Sequence, residues 1–251
     1  MKHLVALLFL CLFVVAGGQA RAAAIGTVVA SFGSPTATGP GGTRTLQSGA
    51  AVFEHDKITV SSGNAQIQLL DGTKLVLGSN SSLVLEKFLL RGGDTAQNVS
   101  VDALRGTFRF ITGKSPKNAY NIQTTNATIG IRGTGFDFWV SNRTGLALLK
   151  GRVHLCSKLG KGSCLDLEPN CSIGVAGDPN PAHLLSGFEK TANISSNLPY
   201  LIDQSSLRSS FRLDTKTCDR SLPQAEPSHY HSNTPPPPPP PPPPPRIGQD
   251  G

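Results

Sequence analysis

The sequence is poor in charge. Charged residues make up 16% of the 251 and aromatic residues 6%, with a single Trp and a single Met, whereas an average globular chain carries about 25% charge. Coiled coils and helical bundles need charged, Gly-poor sequence, and 27 Gly with 20 Pro exclude both. Long apolar runs are missing beyond the N-terminus, which excludes a multi-span membrane protein. Basic runs interleaved with aromatic residues are also missing, so the formal net charge of +7 gives no reason to expect nucleic acid as a partner. There is no G-x-S-x-G nucleophile elbow. His3, His55, His154, His183, His229 and His231 form no constellation with other catalytic residue types. Gly130-x-x-Gly133-x-Gly135 runs into the strand-like Phe136–Val140 rather than a helix, so it is not a dinucleotide loop. The expectation is a protein that is not an enzyme, with no catalytic residue and no cofactor.

What is present begins with an export signal. Lys2 supplies a basic start, Leu4 to Ala16 is a short apolar run, and Ala20-Arg21-Ala22-Ala23-Ala24 offers an A-x-A site. Residues 1–24 are therefore expected to be a cleaved signal peptide, and the protein to be periplasmic or secreted. Leu10 before Cys11 does not fit a lipoprotein cleavage site, and no integral membrane segment is expected after cleavage.

Without Cys11 four cysteines remain, at 156, 164, 171 and 218, and an exported chain uses these as disulfides. Their spacing does not match a zinc site, and no metal is expected.

Residues 25–178 form one compositional block, long enough to bury a core. Turn signals punctuate short stretches with period-2 alternation, such as Ala65–Leu69, Asp71-Gly72 and Lys74–Leu77. Further strands are expected at 27–32, 57–60, 82–86, 107–111, 120–124, 127–131, 136–140, 145–149 and 151–155. The fold class is all-β, a short-strand sandwich or roll or a solenoid-like stack, with a mostly irregular C-terminal extension. Residues 179–219 are expected to pack on the domain's outside, with one short helix using Leu184, Leu185 and Phe188. Residues 220–251 include eleven consecutive prolines, Pro235 to Pro245, a polyproline II spacer in an otherwise disordered tail.

Parity supplies candidate binding residues. Phe108 and Phe110 share one side of a strand, and Arg105 and Arg109 the other. Lys150 and Arg152 likewise oppose Leu149 and Val153. If the two segments are adjacent, Arg105, Arg109, Lys150 and Arg152 form a basic strip for an anionic cell-wall or lipid component, or for an envelope protein. An ordinary solvated face is the alternative. Arg132, in an apolar stretch, is expected to be half-buried in a structural ion pair with Asp137 or Asp71. Asp71-Gly72 also reads as an Asx turn.

The order of turns resembles the FecR domain of bacterial envelope proteins. The matching pieces are Leu46-Gln47-Ser48-Gly49, Asp56-Lys57-Ile58-Thr59, Asp71-Gly72-Thr73, Leu75-Val76-Leu77-Gly78 with Ser82-Leu83, Leu104-Arg105-Gly106, Ile131-Arg132-Gly133-Thr134-x-Phe136 and Leu149-Lys150-Gly151-Arg152-Val153. Two positions depart from the pattern. Position 135, often acidic, is Gly135, and Asn170-Cys171 stands where Gly-Gln is usual. The best-known members place an anti-sigma segment and a membrane span before this domain, and neither is expected here. The resemblance implies an exported, all-β, non-catalytic module that acts as an envelope sensor accessory or binding protein. A wall- or surface-associated scaffold is the alternative.

A turn-like Leu159–Gly162 between strands ending at Cys156 and opening at Cys164 predicts a Cys156–Cys164 bond, leaving Cys171 for Cys218. Cys164 with Cys171 is the competing pairing.

Overall fold

The computed structural model describes residues 22–159, 162–168, 170–177 and 181–219. The expected signal peptide up to Arg21 and the Pro-rich tail, with His229 and His231, lie outside the described residues.

Seventeen strands are assigned among the described residues. The first eight are β1 (Ala24–Phe32), β2 (Thr36–Gly39), β3 (Gly42–Thr45), β4 (Ala51–Phe53), β5 (Lys57–Val60), β6 (Asn64–Leu69), β7 (Lys74–Leu77) and β8 (Ser81–Gly92). The next six are β9 (Thr95–Ile111), β10 (Tyr120–Thr124), β11 (Ala127–Ile131), β12 (Gly135–Val140), β13 (Thr144–Lys150) and β14 (Val153–Ser157). β15 (Cys164–Leu167), β16 (Ile173–Ala176) and β17 (His183–Leu184) complete them. The helices α1 (Gly187–Asn197), α2 (Pro199–Ile202) and α3 (Lys216–Asp219) all follow the strands.

All the strands belong to one open, mixed sheet that folds over on itself, and β9 carries the fold-over. Its first part pairs with β8 and, in parallel, with β10. Its last six residues pair with β7 and β12 instead. The change of neighbours falls at Gly106, whose φ is +102°. A Cβ there would come within 2.4 Å of the Ser81 Cα, so both the conformation and the close approach require glycine. One layer thus holds β4-β1-β6-β7-β9-β12-β13-β16-β17, and the other β3-β2-β5-β8-β9-β10-β11-β14-β15.

Between the layers lies a single apolar core that draws on both. The alternation read from the sequence operates here: Ala65, Ile67 and Leu69 of β6 and Leu75 and Leu77 of β7 face inward. An aromatic ladder crosses it. Phe108 stacks on Phe138 at 4.9 Å and Phe110 on Phe136 at 5.6 Å, directly opposite one another in the β9–β12 register. Cross-strand aromatic pairs of this kind stabilise a sheet beyond the area they bury.

The outer face of the first layer is also buried, because the C-terminal segment covers it. Leu185, Ile194, Leu198 and Leu201 pack on Trp139, Ala147, Leu149, Ile173 and Val175. Tyr200, Leu207 and Phe211 pack on Val76 and Val29. This is why β12 and β16 are buried at every position: strands covered on both sides lose alternation and read as continuous apolar runs. The expected helix around Leu184, Leu185 and Phe188 is displaced. Leu184 lies in β17, and helix α1 starts only at Gly187 and buries Ile194, while Phe188 is 89% exposed. No helix among the described residues is long and apolar enough to cross a membrane.

Arg109 corrects the sequence-based expectation. It does not belong to an exposed strip: it is wholly buried on the outer face, opposite Asp137 in the adjacent strand. Its Nε donates to Asp137 Oδ1 at 2.6 Å and its Nη2 to Oδ2 at 2.8 Å. Nη2 also donates to the Tyr200 carbonyl at 3.0 Å, and Nη1 to Gln204 Oε1 and to the Phe211 carbonyl at 3.3 Å. The guanidinium carries five N–H donors, and these five bonds account for all of them. Burial pushes the Asp137 carboxyl above its ordinary range, and the Arg109 guanidinium pulls it back down. Tyr200, lying 5.6 Å under the guanidinium carbon, has its phenol pushed up mainly by burial, with Asp137 adding to the effect.

Two predictions follow from this covered face. Removing one partner of a buried pair costs roughly 3–5 kcal/mol, and Asp137→Asn is expected to lose about that in urea unfolding. The paired replacement Arg109→Met with Asp137→Leu removes the buried charges but strands the acceptors on Tyr200, Gln204 and Phe211. Hydrogen exchange should therefore accelerate across 199–213 while β6 and β7 stay protected. Unchanged protection at 199–213 would contradict the assignment.

The second prediction concerns the disulfides. Cys171 is bonded to Cys218 across 47 residues, and Cys156 to Cys164 across 8. The chain-entropy relation assigns about 4 kcal/mol to the longer loop and ~2.5 kcal/mol to the shorter. The Cys171→Ser/Cys218→Ser variant should be the more destabilised of the two double mutants and should show faster exchange in the covering segment. Equal losses would show that the longer bridge does not hold that segment.

Candidate ligand-binding surface

The remaining members of the expected strip are exposed but not together. Arg105 sits beyond Gly106, opposite Ser82 of β8. Lys150 lies opposite Gly135, which itself faces Ile111 of β9. Six residues of strand separate the levels of Arg105 and Lys150, roughly 20 Å at ~3.3 Å per residue, and the two lie on different strands. A single strip of Arg105, Arg109, Lys150 and Arg152 is therefore absent. Two causes are visible: Gly106 turns the chain between layers, and the C-terminal segment covers Arg109.

Arg132 also departs from expectation. It is exposed, and neither Asp71 nor Asp137 is its partner. Ile131 is the last residue of β11 and points inward, so the next side chain turns out to solvent. The Arg132 backbone N–H donates to the Arg152 carbonyl at 3.1 Å. The turns at Gly133 and Gly151 abut: a Cβ on Gly151 would stand 2.0 Å from the Gly133 carbonyl oxygen, and Gly151 has φ +88°. Lys117 packs its stem against Gly133 as well, where an added Cβ would meet its Cε at 2.8 Å. A different basic corner results, made of Lys117, Arg132, Lys150 and Arg152, all exposed. Within it Arg152 lies 3.4 Å from Glu168. The arginine-glycine and lysine-glycine motifs thus fix two turns against each other and leave their cations exposed.

Asp71 forms the Asx turn. Its Oδ1 accepts the Thr73 N–H at 2.9 Å, and Oδ2 accepts the hydroxyls of Thr73, Ser115 and Tyr120 at 2.9, 2.7 and 3.1 Å. The carboxylate is fully buried yet satisfied by neutral donors alone, so it is a fixed structural anchor.

Further arrangements were not found from the sequence. Asp56 is buried against Arg44, which donates to it from both terminal nitrogens, and it also accepts the Phe53 N–H at 2.8 Å. His154 pairs with Asp166 directly across β14 and β15 at 2.7 Å. With Cys156 and Cys164 it forms a group whose ligand atoms lie within 4.8 Å, but both sulfurs are consumed in the bond between them. The Arg109–Asp137 pair had a sequence signal. Phe108-Arg109-Phe110 and Phe136-Asp137-Phe138 carry opposite charges at the same place in matching apolar strands, and only their adjacency was unknown.

Two clefts open along the seam between the C-terminal segment and the first layer. One, of about 470 Å³, lies between the end of β1 and residues 205–212; the other, of about 360 Å³, lies beside Asn64, Ser79 and Ser195. Ser206 lines both.

Two crystal structures described as a "putative anti-sigma factor" from Parabacteroides distasonis are similar to this chain at 16% and 17% identity, with TM-scores of 0.41 and 0.40. The similarity covers 55% of this chain and 62% or 63% of those, so the chain spans less than two thirds of their length. No curated protein matches the sequence. Residues 56–154, from the buried Asp56 to the β14 residue that follows the basic corner, match the family model described as FecR protein.

Proposed function

We propose that the protein is an exported FecR-domain interaction module, an envelope sensor accessory or binding protein without catalytic activity. The basic corner of Lys117, Arg132, Lys150 and Arg152 carries this reading. Four exposed cations are held by two interlocked turns, with Glu168 the acidic side chain paired among them. A corner of one sign attracts an anionic cell-wall component, lipid headgroup or acidic protein surface. Its rigidity reduces the ordering cost of binding. Two disulfides suit an oxidising compartment, and the apolar run at Leu4 to Ala16 supports export.

In-cell crosslinking tests this directly. A photoreactive residue replacing Lys150 should capture an envelope component, and Arg132→Glu with Arg152→Glu should reduce that capture about tenfold or more. An equal yield from the charge-reversed protein, or capture confined to cytoplasmic components, would refute the proposal.

A further inference from the structure

The seam clefts carry chemistry unlike the basic corner. In the larger one Ser31 and Ser209 supply hydroxyls, Ser48 and Ser205 acceptor oxygens (their O–H groups donate to the Val29 carbonyl and to Asp203), Phe32 an exposed ring, and Arg208 and Arg212 two cations. Its volume, about 470 Å³, lies within the range of roughly 300–1,000 Å³ of small-molecule sites. Ser206 also lines the second, hydroxyl-rich cleft, so the two clefts adjoin at that residue.

This seam is built from below. Gln66, fully buried on β6, donates to the Ser206 carbonyl at 3.0 Å and accepts the Arg208 N–H at 2.8 Å. Asn64 donates to the Ser206 hydroxyl at 3.4 Å. Two buried amide side chains thus set the backbone that presents Arg208. Arg212 is held from its own segment, with Nε donating to the Leu207 carbonyl at 2.9 Å and Nη2 to the Ser205 carbonyl at 3.1 Å. Those bonds use two of its five N–H donors. The Arg208 side chain has no ion pair or hydrogen bond among the described residues. Asp203 is the opposing charge. Both its oxygens accept from Ser205, at 2.7 and 2.9 Å, and these bonds, with a smaller contribution from Arg212, hold its carboxyl below the usual range.

We infer that this seam binds an acidic saccharide, a short oligosaccharide chain bearing carboxylates. Each part of the lining has a counterpart in such a ligand. Serine hydroxyls both donate and accept, as sugar hydroxyls do. Arginine forks match carboxylates in a bidentate way. The exposed Phe32 ring offers an apolar platform for the carbon-bound face of a pyranose. Two clefts that share Ser206 suit a chain of several rings better than a compact anion. The inference rests on the export in the proposed function but not on the basic corner.

Calorimetric titration of the full mature chain with tetragalacturonate, maltotetraose and inorganic phosphate tests it. Tetragalacturonate should bind, with maltotetraose and phosphate at least tenfold weaker. Arg208→Gln and Phe32→Ser, both at exposed positions, should each weaken tetragalacturonate about tenfold without lowering the melting temperature. Arg132→Glu at the basic corner should leave this binding unchanged, which separates the inference from the envelope-capture result. Phosphate binding as strongly as tetragalacturonate would reduce the seam to a general anion site and overturn the inference. So would the absence of tetragalacturonate binding, or full affinity in both seam variants.

Discussion

The architecture depends on one buried guanidinium. An arginine removed from water must find an anion and an acceptor for every N–H, and Arg109 meets that demand with partners from two parts of the chain. Asp137, one strand away, takes two donors; Tyr200, Gln204 and Phe211, some 90 to 100 residues further on, take the other three. The β layers alone would leave Arg109 partly unsatisfied. The C-terminal segment is therefore required by the sheet it covers, and replacing the ion pair with apolar residues would not be neutral. Its apolar contacts, Leu198 and Leu201 against Trp139 and Ile173, supply area; the guanidinium supplies the register. Apolar area alone would tolerate a slide of that segment, whereas three directed acceptors tolerate very little.

What could be read from the sequence was local. Strand limits at Lys57–Val60, Tyr120–Thr124, Ala127–Ile131 and Cys164–Leu167 follow from alternation and turn residues, and the structure places strands there. The all-β class follows from the same signals. Turn chemistry was also readable: Asp71 accepts from Thr73 as an Asx turn, and the glycines of Leu104-Arg105-Gly106 and Leu149-Lys150-Gly151 both take positive φ. The β2–β3 hairpin and the tip of the β8–β9 ribbon were not. Their residues, such as Thr43-Arg44-Thr45, Arg91-Gly92 and Thr95-Ala96-Gln97, lack an alternating apolar set. Pairing across the ribbon, not propensity, makes them strands.

The candidate site was less readable, for one physical reason. Parity correctly separates Arg109 from Phe108 and Phe110, but facing away from one core is not the same as facing solvent. Whether a second layer covers that face depends on residues 185–218, which have no periodic relation to β9. The same gap misplaced Arg132. It lies between apolar residues in sequence, yet a strand that ends at Ile131 turns the next side chain outward whatever precedes it.

Covering both faces of a sheet also restricts where a partner can dock. The first layer has the core on one side and the C-terminal segment on the other, so its broad faces are unavailable. The edge strands are short, two residues in β17, three in β4 and four in β3 and β15. On that first layer, recognition falls to the places where layers meet or turns protrude. The seam beside Phe32 and Arg208 is such a place, and so is the corner at Gly133 and Gly151. Both are held from within, by Gln66 under the seam and by interlocked backbone at the corner. Cations presented from a rigid base lose little entropy on binding. For a fold whose flat surfaces are already occupied, that rigidity is what turns a few exposed arginines and lysines into places a ligand can recognise.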